Sequence, residues 1–235
     1  MELNIITGVS NGLGKELYES LSKKNKCLGI TSKNTQLNQN IFYLSLTSLD
    51  YKIEYFKKII NRINQRNYDK IIFYLNSAIY DSNQDTLEDK LTILKINFFN
   101  QIEFVNRVKK LTNIKKIKLI FFSSFEIYNY NSSYNYYKIS KALYLEEYLR
   151  NIYKDPNEIY KIFILGGIKT ERYIINTKNK KYNFIRKMIV AEKNKACNYI
   201  IKKSKTDFNE IIYYPKIYFY LNKIKLIKQL FFLSK

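Results

Sequence analysis

The chain has 235 residues, 46% hydrophobic and 16% aromatic, which suits one domain with a sizeable core and excludes an intrinsically disordered chain. It contains no histidine, so no Ser-His-Asp or Cys-His centre can form, no metal site is expected, and any acid or base must be Tyr, Lys, Asp, Glu or Cys. A net charge of +21 invites a nucleic-acid partner, yet only six of the 41 basic residues are arginine, the better group for bidentate base and phosphate contacts. The lysines are spread through every segment, which argues against nucleic acid and for solvated lysine faces.

Met1-Glu2 leads directly into a short apolar run with a glycine loop behind it, so no signal peptide is expected. No run of 18 uncharged apolar residues occurs, so no membrane span is expected and a cytoplasmic protein is. In chain order, LNIIT (3–7), CLGIT (27–31), IFYL (41–44), KIIFYL (70–75), KLIFFS (118–123) and KIFIL (161–165) read as strands, and Ile211–Tyr213 as a last one. Continuous apolar runs of this length mark strands covered on both faces. Helical spacing occupies Leu13–Lys24 and Leu49–Arg66, where Ile53, Phe56, Ile60 and Ile63 form one stripe, and then about 86–111 and 137–153. Strand alternating with helix predicts parallel strands joined by right-handed crossovers. The expectation is a Rossmann-type, doubly wound α/β fold of about seven strands in a single domain, 1–235. Cys27 and Cys197 lie far apart, and two buried free thiols are the expectation.

Three of the six glycines fall in TGVSNGLG, residues 7–14, between the first strand and the first helix. A phosphate-binding turn needs this arrangement: glycine permits the tight turn and close approach, and the helix start presents free N–H groups to a pyrophosphate. A second feature is a tyrosine four residues before a lysine, which puts a phenol and an ammonium on one helix face. With 23 Tyr and so many lysines, chance supplies about three such pairs, and three exist: Tyr134 with Lys138, Tyr137 with Lys141, and Tyr199 with Lys203. Spacing alone does not choose among them.

At this point the sequence resembles the short, single-domain branch of the short-chain dehydrogenase/reductase family. Thr7, Gly8, Gly12 and Gly14 match its Thr-Gly-x-x-x-Gly-x-Gly pattern. Asn76, Ser77 and Ala78 resemble its Asn-Ala-Gly stretch with two positions changed, and INFFNQ its segment with an active-site asparagine, here Asn97. FFSS supplies the serine, YKISKAL the Tyr-x-x-x-Lys, and LGGIKT the Pro-Gly-x-Ile-x-Thr loop, with Leu165 in place of the proline and Gly166, Ile168 and Thr170 matching. In that family the serine precedes the tyrosine by about 13 residues, the interval from Ser124 to Tyr137, whereas Tyr134 would need its serine where Phe121 stands. The resemblance therefore implies Tyr137 as general acid/base, with Tyr134 and Tyr136 lining the pocket or packing. It also implies that Lys141 lowers the tyrosine's pKa and holds the nicotinamide ribose. Ser124 would bond the substrate oxygen, and Asn97 would position a water in a proton relay. The cofactor would lie along Thr7, Gly8, Ser10, Asn11, Gly12, Leu13 and Gly14, then Asn76–Ala78, Tyr137, Lys141, Gly166, Ile168 and Thr170.

Cofactor choice rests on the second strand, which ends Thr31-Ser32-Lys33 with no acid to meet the ribose hydroxyls. Ser32 and Lys33 favour a 2′-phosphate, hence NADP(H), with NAD(H) the alternative. Residues 171–184 are expected to cover the substrate. Residues 216–235 read as a basic amphipathic helix with Ile217, Tyr220, Leu221, Ile224, Ile227 and Phe231 on one face, able to meet an anionic membrane, its own domain or another subunit. The reading is an NADPH-dependent reductase of a small ketone or secondary alcohol, as a homodimer or homotetramer. The alternatives are a cofactor-binding scaffold without turnover and a lysine-driven nucleic-acid binder.

Overall fold

A computed structural model of the chain describes residues 1–33, 40–47, 53–80, 86–128, 135–171, 173–174, 190–220 and 223. The chain runs β1 (Glu2–Thr7), α1 (Gly12–Ser22), β2 (Lys26–Thr31), β3 (Ile41–Tyr43), α2 (Ile53–Asn64), β4 (Lys70–Leu75) and α3 (Leu87–Leu94). A π-helical turn (Lys95–Phe99) joins α3 to α4 (Asn100–Leu111), and β5 (Lys116–Ser124) ends in a 3₁₀ turn (Phe125–Tyr128). Then come α5 (Tyr136–Asn151), β6 (Glu158–Leu165), β7 (Ile168–Lys169), β8 (Ala191–Glu192), α6 (Lys193–Ser204) and β9 (Glu210–Tyr214). Seven strands form one parallel sheet in the order β3-β2-β1-β4-β5-β6-β9, with β7 and β8 paired apart from it. The order reverses between β1 and β4, which opens a crevice at the carboxyl ends of the strands.

The apolar strand runs produce two cores because successive side chains point to opposite faces. Leu3, Ile5, Ile71, Phe73, Phe121 and Ile162 face one layer, where Phe104 of α4 meets Phe56 of α2 and Phe73 edge-on, both at 6.1 Å. Ile6, Ile72, Tyr74, Ile120 and Phe163 face the other, packed by Leu17 of α1 and Ala196 and Ile200 of α6. Phe104 is fully buried, and its truncation to alanine would cost about 3–5 kcal/mol. Of the expected α2 stripe, Phe56, Ile60 and Ile63 are buried, joined by Ile59.

Helix α6 has no counterpart in the sequence reading. Its buried residues Ala196, Cys197 and Ile200 sit in a lysine-rich background that hides the apolar stripe. Cys27 and Cys197 are both buried and free, and burial pushes the Cys27 thiol up to about 12. Among the described residues no helix is long and apolar enough to cross a membrane.

The expectation of solvated lysines is wrong at three strand positions. Lys70, Lys118 and Lys161 are buried on β4, β5 and β6. Lys118 Nζ donates to the carbonyls of Ser204 (2.8 Å) and Thr206 (3.0 Å) and pairs with Asp207. Lys70 reaches Asp207 at 2.7 Å and Glu2 at 3.2 Å, and Lys161 reaches Thr206 Oγ1 at 2.8 Å and Glu210 at 3.1 Å. A buried ammonium persists only where such partners replace its water. Lys118 and Lys161 both have lowered pKa values, chiefly from burial.

Candidate active site

Most of the residues expected at the site follow the carboxyl ends of the strands of the sheet. Gly8 and Gly12 have φ of +73° and +59°, a left-handed backbone that disfavours any side chain. A Cβ on Gly14 would lie 2.2 Å from the Gly8 carbonyl oxygen and 2.5 Å from Asn76 Nδ2, so this turn of α1 closes directly on β1. Asn11 precedes α1 without a side-chain cap, and the first turn holds no acid. Its opening N–H groups can therefore serve an outside anion. One nearby carboxylate already responds to them. The Glu171 carboxyl is held below its usual range first by Lys193, 2.9 Å away, with the Gly12 N–H contributing.

Ser10 is half-buried and Asn11 exposed, so both can face a ligand, whereas Leu13 is a core side chain with only its backbone to offer. Thr7 is buried too, and its hydroxyl is fully engaged. It donates to Gln101 Oε1 (2.7 Å) and accepts from the N–H groups of Asn76 (2.9 Å) and Ser77 (3.0 Å). Thr7 thereby ties β1 to the loop after β4. Gln101, unnoticed in the sequence, completes the knot by donating to the carbonyls of Ser77 (2.8 Å), Ile96 (3.0 Å) and Asn97 (3.0 Å).

Asn97 sits in the π-helical turn, fully buried. Its Oδ1 accepts from the Ile79 N–H at 2.7 Å, and its Nδ2 donates to the Ile79 carbonyl at 2.9 Å and Ser140 Oγ at 3.1 Å. The side chain clamps the loop that carries Asn76–Ala78. It also reaches the next element, because Ser140 Oγ donates to the Tyr137 carbonyl at 2.6 Å.

Helix α5 starts where Asn135 caps it, its side chain accepting from the Lys138 N–H at 2.8 Å. That cap puts Tyr137 in the first turn and Lys141 one turn on. Tyr137 is half-buried, with its ring 5.0 Å from that of Tyr80. Lys141 is buried, its Nζ 5.5 Å from the Tyr137 ring centre and 5.4 Å from that of Tyr144. Burial brings its pKa from the ordinary 10.5 to about 7. Ser123 Oγ donates to the Lys141 carbonyl at 2.7 Å, fixing α5 on β5, while the half-buried Ser124 accepts from the Glu126 N–H at 3.2 Å. Ser123 thus holds the helix, while Ser124 is the last residue of β5, at the carboxyl end of the sheet.

Across the adjacent strands Ser124 is level with Leu165, and Leu165 with Tyr214. Gly166 follows, and Thr170 folds back so that its methyl would be 3.7 Å from a Cβ on Gly12. Ile168 is a buried core residue. Ser32 and Lys33, beyond β2, are exposed, and the Lys33 N–H donates to Thr31 Oγ1 at 3.0 Å. Tyr134 lies outside the described residues, as does most of 171–184 apart from Glu171, Tyr173 and Ile174. Of the expected C-terminal stripe, Ile217 and Tyr220 are exposed, and Leu221, Ile224, Ile227 and Phe231 lie outside the described residues. Among the described residues of that segment the buried one is Tyr218, absent from the expected stripe.

No protein-family model and no curated protein matches the chain. Solved structures do. A short-chain dehydrogenase/reductase described as a glucose/ribitol dehydrogenase, from Brucella melitensis, is 13% identical with a TM-score of 0.71, over 90% of this chain and 94% of that one. A short chain dehydrogenase from Burkholderia cenocepacia, in complex with NADP, is 13% identical with a TM-score of 0.67, over 94% and 91%. A 4-hydroxyisoleucine dehydrogenase complexed with NADH is 15% identical with a TM-score of 0.68, over 90% and 97%. At such identities the common property is architecture, and this chain has the fold of the short-chain dehydrogenases.

Proposed function

We propose that the protein is a short-chain dehydrogenase/reductase that reduces a small ketone, or oxidises the corresponding alcohol, with NADPH. The observation that carries the reading is the placement of Tyr137 over the buried Lys141 at the start of α5, against the Ser123–Ser124 end of β5. The glycine turn at the carboxyl ends of the same strands suits a dinucleotide, with an uncapped helix start and Gly8 and Gly12 in the left-handed region. Its diphosphate would rest on the N–H groups after Gly8 and its adenosine phosphate near Ser32 and Lys33. NADP in one similar structure and NADH in another support a nicotinamide cofactor.

When bound, the reduced nicotinamide supplies the hydride. The Ser124 hydroxyl holds the carbonyl oxygen, and the Tyr137 phenol donates its proton there as negative charge develops. Lys141, brought by burial to about 7, can then return a proton to the tyrosine near neutral pH. Asn97 maintains the frame, since its amide bridges Ile79 to Ser140 and so to the Tyr137 backbone.

The test is fluorescence titration with NADPH, then turnover of a ketone panel by wild type and Tyr137→Phe. Tyr137→Phe should lose turnover while holding NADPH within a few-fold of wild type, because only the proton donor is removed, and Tyr134→Phe should keep most activity. An active Tyr137→Phe, or the reverse ranking of the two tyrosines, would end this assignment.

A further inference from the structure

Gly166 has no room for a side chain, because a Cβ there would lie 1.8 Å from Cε2 of Tyr218. Tyr218 arrives from the far end of the chain, on the helical turn 217–220 that follows β9. It is 7% exposed, and its ring lies 4.4 Å from that of Phe125, the residue after Ser124. Its hydroxyl accepts the Gly167 N–H at 3.3 Å. The same two glycines are held from other sides: the Gly166 N–H donates to the Tyr214 carbonyl at 2.8 Å, and the Gly167 carbonyl accepts from the Ala191 N–H at 2.9 Å. This turn links the Ser124 side of the crevice, through Leu165, to the glycine turn, through Thr170 beside Gly12.

We propose that Tyr218 is a positioning residue for the Gly166–Gly167 turn, holding it at the depth at which cofactor and substrate are received; this rests on the reductase reading above. Two consecutive glycines have wide intrinsic backbone freedom, and Leu165 before them lacks the fixed φ that a proline would bring. Left alone, such a turn would have to be ordered by the ligand, at a cost in affinity. The Tyr218 ring, wedged between Gly166 and Phe125, and its hydroxyl on Gly167 order the turn beforehand.

The experiment titrates NADPH into the full chain as wild type, Tyr218→Phe, Tyr218→Ala, Gly166→Ala and the Gly166→Ala/Tyr218→Ala double variant, with melting temperatures and steady-state kinetics alongside. Tyr218→Phe keeps the ring and loses one neutral hydrogen bond, so NADPH binding should weaken by about threefold with little change in melting temperature. Tyr218→Ala should weaken it by roughly tenfold or more and raise KM more than it lowers kcat, as expected when positioning rather than chemistry is lost. Gly166→Ala should be worse still, and the double variant should recover NADPH affinity and melting temperature only as far as the level of Tyr218→Ala, since removing the ring relieves the clash without restoring the hold on the turn. The proposal is overturned if Tyr218→Phe and Tyr218→Ala bind NADPH as wild type does, or if the double variant is no better than Gly166→Ala. Should Tyr218→Ala not fold, Tyr218→Phe decides. Wild type that binds neither NADPH nor NADH overturns the reductase reading and this proposal together, whereas binding wild type with indifferent Tyr218 variants overturns the proposal alone.

Discussion

Replacing Lys141 with methionine keeps most of the side-chain volume and removes the ionisable group, so it isolates what burial does to this lysine. The folded protein holds Lys141 at about 7 against an ordinary 10.5. Between those values the unfolded chain carries a proton that the folded chain does not, so the group makes wild type more stable as pH rises from about 7 to 10.5. Below 7 both states are protonated and the folded protein bears the full penalty of a buried ammonium. At ~1.4 kcal/mol per pH unit, that penalty is about 5 kcal/mol. Lys141→Met lacks it, so in cofactor-free urea titrations the variant should gain most over wild type at pH 6, with the gap closing by about 2–3 kcal/mol between pH 7 and 9. Taking the difference between the two proteins cancels Lys118 and Lys161, which titrate in the same direction. NADPH binding and turnover should both fall in the variant. A gap that stays constant from pH 6 to 9 would refute the reasoning, because it would mean Lys141 keeps an ordinary pKa in the folded chain.

Asn97→Ala leaves the N–H and carbonyl of Ile79 without their side-chain partner and should cost about 2–4 kcal/mol by chemical denaturation; a loss below 1 kcal/mol would contradict the clamp. Asp207→Asn removes a shared partner of Lys70 and Lys118, and should destabilise by about 2–3 kcal/mol at neutral pH, less than for a fully buried pair because the carboxylate is half-exposed. The Asp207 carboxyl is held at about 2, so its contribution is present above the ordinary carboxylate range and lost as pH falls toward 2; wild type should lose its advantage over the variant in that window. Lys33→Ala should shrink a preference for NADPH over NADH of about ten- to a hundredfold, mainly through KM, as expected for an exposed charge-assisted contact of roughly 1.5–3 kcal/mol. Ser32→Asp should reverse it, and wild type that uses NADH as readily as NADPH would remove this role from both residues.

The strands, their parallel pairing and the position of the glycine turn were legible in the sequence because they follow from local patterns. Uninterrupted Ile, Leu and Phe runs fit only strands covered on both faces, and a left-handed turn after the first strand demands glycine at positions 8 and 12. Ser124, Tyr137 and Lys141 stand in the sequence as residue types at fixed intervals, and the proposed assignment rests on them. The hydrogen-bond partners of Thr7 and Asn97 were not legible: one hydroxyl and one amide are engaged with backbone 69 and 18 residues away, which no local pattern encodes. Gln101, Ser123 and Ser140 were missed for the same reason, being polar residues whose partners are set by packing. In Lys118 and Lys161 the sequence showed charge and the fold decided burial, because Asp207, Glu210 and the carbonyls past α6 converge there only once the sheet has formed. Tyr218 makes the same point most plainly: one tyrosine among 23, it fills the space over Gly166 because β9 lies beside β6, a pairing that only the tertiary structure makes.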